Sequence, residues 1–411
     1  MRRGIPAAAV TLGLALALTA CSGSNDDASG EATSDSTASA GSGDSIVVWV
    51  DETRQAAVEE AAKAFESEND VDVELVLKNF EDIRADFLAQ VPTGEGPDVT
   101  VGAHDWLGEF TTNGVVAPIE LGDKADEFEA VSIEAFTQDG QVYGLPYAIE
   151  NVALIRNTAL AGAAPATWDE AVAAGQAAGT LYPFLIQTGT EGDPYTYYPL
   201  QTSFGAPVFI QNEDGSYSAE LGMGGAPGQA FATWLQTQGQ AGVLSTDITY
   251  DIAVEAFKNG ESPFIVGGPW MIEQFGDLDL SIDPIPSAGG QPAQPFVGVQ
   301  GFYVSAQSDN ALLANDFLVN YMATDEAQLA LYEAGNRPPA LKSAAEQASE
   351  DPITAGFAAV GAEAVPMPSI PEMGSVWAFW GVTEANIISG AAEPVAAWDK
   401  MIADIQGAIG S

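Results

Sequence analysis

Cations are scarce in this chain: 12 Lys and Arg stand against 58 Asp and Glu in 411 residues, a formal charge of −46. A nucleic-acid-binding face must displace counterions from phosphates, and so few cations spread so thinly cannot build one. An anionic membrane surface would repel the protein, and a strongly anionic substrate would need the few cations to converge locally. Cysteine and histidine are scarcer still, with Cys21 and His104 the only examples. That excludes an internal disulfide and a Cys/His zinc site. A Ser-His-Asp triad would have to use His104, and no G-x-S-x-G elbow is present. The one long apolar run, Ile5 to Ala20, is too short to span a bilayer comfortably. What the chain does have is 46% apolar residues, enough for sizeable cores, and a length that suits two domains.

The apolar run follows a short basic start and ends in Leu18-Thr19-Ala20-Cys21. It reads as a signal-peptide core, and its end resembles a bacterial lipobox, in which the cysteine is lipidated and becomes the mature N-terminus. Residues 1–21 are therefore expected to be a lipoprotein leader, with Cys21 the lipidation site. Residues 22–44 are almost all Ser, Gly, Ala, Asp, Thr, Glu and Asn, and read as a flexible tether. Removal of Arg2 and Arg3 leaves a mature charge of 10 − 58 = −48. A lipid anchor and a tether place the folded part on the extracellular face of the cytoplasmic membrane.

From Ile46 onward the pattern is that of an α/β protein. Ile46 to Val50 is a continuous apolar run, as in a strand buried on both faces. Val58, Ala61, Ala62 and Phe65 follow helical spacing; Val71, Val73, Leu75 and Leu77 alternate. Ile83, Phe87, Leu88 and Val91 mark a second helix, and Val99 to Val101 a third strand. This β-α-β-α-β order predicts an open parallel sheet with helices on its faces. Further on, Thr167 to Glu170 is a capping box, Pro183 to Ile186 reads as a strand, and Asp193-Pro194 opens another helix.

In open α/β sheets ligands bind beyond the carboxyl ends of the strands. That rule selects Asp51, Glu52 and Arg54 after the first strand, Asp105 and Trp106 after the third, and Trp270 after the strand expected at 262–266. Carboxylates accept strong hydrogen bonds from hydroxyls, and aromatic rings lie flat against the C–H faces of pyranoses. The mixture suits a neutral polyhydroxyl ligand. Paired carboxylates among aromatics also serve glycoside hydrolases, with Asp105 and Glu150 as the acid and base.

Ile46-Val47-Val48-Trp49-Val50, Gly94-Glu95-Gly96-Pro97-Asp98, Ala103-His104-Asp105, Leu145-Pro146-Tyr147-Ala148-Ile149-Glu150, Gly268-Pro269-Trp270, Phe296-Val297-Gly298-Val299 and Met367-Pro368-x-Ile370-Pro371-x-Met373 occur in an order and spacing that resemble the maltose/maltodextrin-binding proteins. These are extracellular family 1 solute-binding receptors of ABC importers. The resemblance covers about residues 45 to 409. It implies a two-lobed periplasmic-binding-protein type II fold, with an N-lobe of 45–148 plus 301–347 and a C-lobe of 152–297 plus 352–411. It implies a receptor rather than an enzyme, with no cofactor and no metal, that binds maltodextrin-type α-glucans as a monomer and passes them to ABC permease subunits. Trehalose, a cyclodextrin or another neutral oligosaccharide is the alternative ligand.

The resemblance also assigns site residues. Asp105 and Glu150 match carboxylates that accept hydroxyl hydrogen bonds, and Asp193 an acidic position before Pro-Tyr. Tyr195, Tyr198, Tyr250, Trp270 and Trp377 match aromatics of the sugar platform, and Met367 a methionine beside the groove. Glu52 and Arg54 stand near a family lysine, with a register uncertain by one residue, and Trp106 replaces a family arginine. Gly102, Arg84 and Gly381 depart from the family pattern: a platform is kept in the C-lobe while the N-lobe polar wall is rewritten. His104 reads as structural. Asp277, Asp279 and Asp283 read as a solvated strand face, since Ile282 occupies the turn position where a calcium loop needs Gly.

Overall fold

The computed structural model describes residues 45–212 and 216–410. The expected leader, its Cys21 and the tether lie outside the described residues. The first apolar run forms β1 (Ser45–Val50), in which Ile46, Val48 and Val50 have no exposed surface. Asp51 then caps α1 (Glu52–Asn69) by accepting the Thr53 backbone N–H. Ala57, Val58, Ala61, Ala62 and Phe65 turn to the core at helical spacing. The chain continues through β2 (Asp72–Leu77), α2 (Phe80–Gln90) and β3 (Val99–Ala103), and β1 pairs in parallel with both β2 and β3.

After β4 (Gly144–Glu150) the chain enters a second core at Val152 and forms β5 (Ala153–Asn157). Thr167 caps α3 (Trp168–Ala178) in the expected capping box, and Asp193 caps α4 (Pro194–Thr202). Helix α5 (Gly225–Gln240) follows. β6 (Phe264–Gly267) and β7 (Leu280–Asp283) flank β5 in an antiparallel sheet. The strand expected at 183–186 shrinks to one bridge, Leu185 to Ile265, because Pro183 has no N–H to give a ladder. Asp283 is not a solvated strand residue, since its carboxylate takes a 2.7 Å ion pair from Arg156 on β5.

The 10-residue β8 (Phe296–Ser305) leads back to the first core. Phe296 packs in the second core and Val299 in the first. Arriving from that side, β8 runs antiparallel to β3 and to β4, so the N-terminal sheet is mixed and not wholly parallel. Helix α6 (Asp325–Gly335) belongs to the first core; Phe357 and Val360 pack with Ile155 and Phe257 in a smaller cluster on the C-terminal side, and α7 (Glu372–Ile388) and α8 (Pro394–Ile409) lie in the second core. The chain thus passes between the cores near 148–152, 296–299 and 344–357. This is a two-lobed α/β architecture with its cleft between lobes joined by hinge segments.

Candidate ligand-binding cleft

A cleft of about 1280 Å³ opens between the lobes, walled by the ends of β1 and β3 on one side and by α4, α7 and the turn after β6 on the other. Ten of the twelve sequence-selected ligand residues line it: Glu52, Arg54, Asp105, Trp106, Glu150, Tyr195, Tyr250, Trp270, Met367 and Trp377. Their convergence follows from local structure. Asp105 and Trp106 leave β3 where the sheet ends. Trp270 sits in the turn after β6, Tyr250 opens a short helix capped by Thr249, and Trp377 projects from α7.

The C-terminal side is an aromatic wall. Tyr195 lies 6.3 Å from Trp270, and Trp377 stacks on the buried Trp380 with ring centroids 5.5 Å apart. Trp380 is itself fixed by a 3.1 Å hydrogen bond to Gln201, so the platform rests on a rigid support. Burial holds the Tyr195 phenol well above its usual value, so it is a neutral O–H. That hydroxyl is buried and has no hydrogen-bond partner among the described residues.

The N-terminal side is polar with an aromatic patch. Trp106 packs on Phe80 at 5.1 Å, and its indole occupies the space above Gly102, where a Cβ would come within 2.7 Å of it. The small residue and the large one are thus a matched exchange. Arg54, almost wholly buried, stacks over Phe80 at 4.7 Å and bonds Asp51, Tyr147 and Gln300. Its guanidinium organises the floor more than it reaches into the cleft. Arg84 pairs with Glu109 at 3.2 Å. Asp105 receives the Trp377 indole N–H at 3.0 Å. Burial pushes its carboxyl above the ordinary value against the pull of His104, Arg84 and the Trp377 N–H.

Two sequence-selected residues stand outside the cleft. Asp193 spends its carboxylate on the Thr196 backbone and hydroxyl and on Gln187, as the cap that holds the helix bearing Tyr195. Tyr198, one turn deeper on α4, stacks face to face on Phe296 at 3.6 Å and is about 1% exposed. Both support the wall from behind. Gly381 abuts the loop before α4, where a Cβ would meet the Glu191 carbonyl at 2.5 Å, so no longer side chain fits there.

The sequence reading missed Phe80, Gln300 and Arg337, all of which line the cleft. Arg337 follows Asn336, whose left-handed backbone ends α6, and precedes Pro338-Pro339, which run beside β4. The Ile149 N–H donates to the Pro338 carbonyl at 2.9 Å, which sets Arg337 next to Glu150. A lone cation between a helix stop and two prolines, in a chain so poor in cations, was the available signal.

Fold and site together define a class: a two-lobed solute-binding protein with its cleft between the lobes. The chain belongs to the bacterial extracellular solute-binding proteins, whose family profile matches residues 60–358. It is similar to the maltodextrin-binding protein MdxE of Bacillus subtilis, with 30% identity over 89% of this chain and 87% of the relative. It is also similar to the galactooligosaccharide-binding protein of the same organism, with 28% identity over 96% of this chain and 95% of the relative. Among solved structures, the Thermus thermophilus maltotriose binding protein bound with maltotriose superposes with a TM-score of 0.80 at 33% identity, over 89% of this chain and 100% of that one. These relatives are solute-binding proteins, not enzymes, so the hydrolase reading is set aside.

Proposed function

We propose that this chain is the extracytoplasmic receptor of an ABC importer for maltodextrin-type α-glucans. The observation that carries the reading is the pairing of an aromatic wall on one lobe with carboxylates and a matched Trp106–Phe80 patch on the other. Rings would stack on Tyr195, Tyr250, Trp270 and Trp377, while hydroxyls donate to Asp105 and Glu150. The similarity to a maltodextrin-binding protein and to a maltotriose-binding protein supports the same sugar class.

In this reading the lobes are 45–148 plus 301–347 and 152–297 plus 352–411, and closure turns about the three crossings. Cys21 carries the lipid, the tether lets the receptor reach its permease, and the receptor works as a monomer. Mass spectrometry of membrane-extracted protein, with Cys21→Ser as control, tests the anchor.

Calorimetry tests the ligand. Maltotriose should bind with a Kd of roughly micromolar or tighter, about −8 kcal/mol. Trehalose, a cyclodextrin and a galactooligosaccharide complete the panel, and absence of heat with every α-glucan would end the reading.

A further inference from the structure

Arg337 reaches the cleft from the N-terminal lobe and lies over the Trp270 ring of the other lobe, 5.5 Å from its centroid. Its Nε donates to Glu150 Oε2 at 2.7 Å. No described residue accepts a hydrogen bond from its two Nη groups. One of them rests against Gly335, where a Cβ would come within 2.7 Å, so the missing side chain there makes room for it. A structural Arg–carboxylate pair commonly uses both prongs of the fork. Here one nitrogen is spent on the carboxylate and the rest of the fork is left at the wall of the cleft.

Glu150 is prepared in a complementary way. Its Oε1 accepts from Gln300 Nε2 at 2.9 Å and its Oε2 from Arg337. Gln300 is held in turn by Arg54, at 3.3 Å. Each carboxylate oxygen can accept two hydrogen bonds, so both retain capacity. The wall therefore presents fixed donors and fixed acceptors side by side, beside an indole.

We infer that Arg337 and Glu150 form a donor–acceptor fork that reads two adjacent hydroxyls of one sugar ring at the Trp270 end of the cleft. One hydroxyl donates to Glu150 and its neighbour accepts from an Arg337 Nη. A hydroxyl that donates is polarised to accept better, so a neighbouring pair suits such a fork more than two isolated groups do. The ligand class is a pyranose with an unsubstituted pair of neighbouring hydroxyls in reach. The inference rests on the carbohydrate reading above and makes Arg337 a specificity-determining residue.

The test measures Kd by calorimetry for maltotriose and a set of singly deoxygenated maltotrioses, on the full folded chain, with Arg337→Met and Arg337→Lys. Thermal melts confirm that each variant folds. Arg337→Met should raise Kd for maltotriose about 10- to 100-fold, the usual range for lost hydrogen bonds to a charged group. Arg337→Lys should recover only part of it, because a point charge does not reproduce the planar fork. One deoxy analogue that binds wild type poorly should bind Arg337→Met no worse than maltotriose does, since its partner is gone from both sides.

An unchanged Kd in Arg337→Met overturns the inference while leaving the carbohydrate reading intact. So does a uniform loss that keeps the wild-type ranking of the analogues, which is what a structural role would give. Wild-type protein silent to every glucan overturns the reading and the fork together.

Discussion

The indole N–H of Trp377, on α7 of the C-terminal lobe, donates a 3.0 Å hydrogen bond to Asp105 Oδ2 at the end of β3 in the N-terminal lobe. A residue of the aromatic wall is thereby tied to a carboxylate of the opposite wall. Under the proposed function two contributions to binding would meet in one side chain, stacking by the ring and positioning through the N–H. They can be separated. Trp377→Ala should weaken maltotriose binding by about 1–3 kcal/mol through lost apolar contact. Trp377→Phe keeps a ring and loses the N–H, and should cost only about 0.5–1.5 kcal/mol. Calorimetry on both variants decides, and equal losses would assign the energy to the hydrogen bond.

Asp105 makes a pH prediction with a definite sign. Burial raises its carboxyl above the ordinary value of 3.8. Under the proposed function sugar hydroxyls donate to the ionised form, so binding would favour the deprotonated state. Affinity should therefore be flat at high pH and fall as pH drops through the raised value. The fall should begin at higher pH than an ordinary aspartate would give, with a limiting slope of about tenfold per pH unit. Tryptophan fluorescence titrations across an acid series check it. Asp105→Asn should bind more weakly, by about 1.5–3 kcal/mol, and lose the acid limb of the profile.

Asp105 was legible in the sequence because a parallel β-α-β start places the residue after β3 by rule, and it lines the cleft. Trp270 lines the cleft as well, although β6 belongs to an antiparallel sheet that the rule does not cover. Tyr198 was placed at the cleft by the resemblance, which does not record that it lies one turn further inward than Tyr195. The stack on Phe296 comes from a strand 98 residues away (296 − 198 = 98). Arg337 was missed for a related reason. Its place beside Glu150 is set by a backbone hydrogen bond between Ile149 and Pro338, and no local pattern records such a pairing. The antiparallel entry of β8 was equally hidden, because it depends on the chain returning from the other lobe.

Glu384 offers a stability test away from the ligand. It lies on α7, fully buried, and neither carboxyl oxygen receives a well-formed hydrogen bond among the described residues, since the nearby Trp380 indole N–H donates to Gln201. Desolvation, with Asp193 adding repulsion and Trp380 pulling only weakly the other way, pushes its pKa well above the ordinary 4.5. An acid whose folded pKa is raised destabilises the fold as pH rises from its unfolded value toward the folded one. Glu384→Gln removes the ionisable group at similar volume. It should be more stable than wild type at neutral pH by about 1–3 kcal/mol, and the gap should shrink below the ordinary carboxylate pKa. Urea denaturation at acid and neutral pH reads this out. A constant gap would mean that the carboxyl does not titrate in this way.

His104, the only histidine, is spent on holding the two lobes to the strand that joins them. Its Nδ1 accepts the Val299 backbone N–H at 3.0 Å, so its Nε2 carries the proton and donates to the Met367 carbonyl at 2.9 Å. Val299 lies where β8 crosses between the cores, and Met367 lines the cleft from the other lobe. The ring is about 2% exposed, so water cannot readily replace either bond. His104→Phe keeps a flat ring and leaves a buried N–H and a buried carbonyl without partners, each costing about 1–3 kcal/mol. The variant should therefore lose roughly 2–6 kcal/mol by urea denaturation, the sum of those two losses. It should also hold its lobes less firmly, which small-angle scattering of the unliganded protein would show as a larger radius of gyration. A variant as stable and as compact as wild type would remove His104 from the hinge.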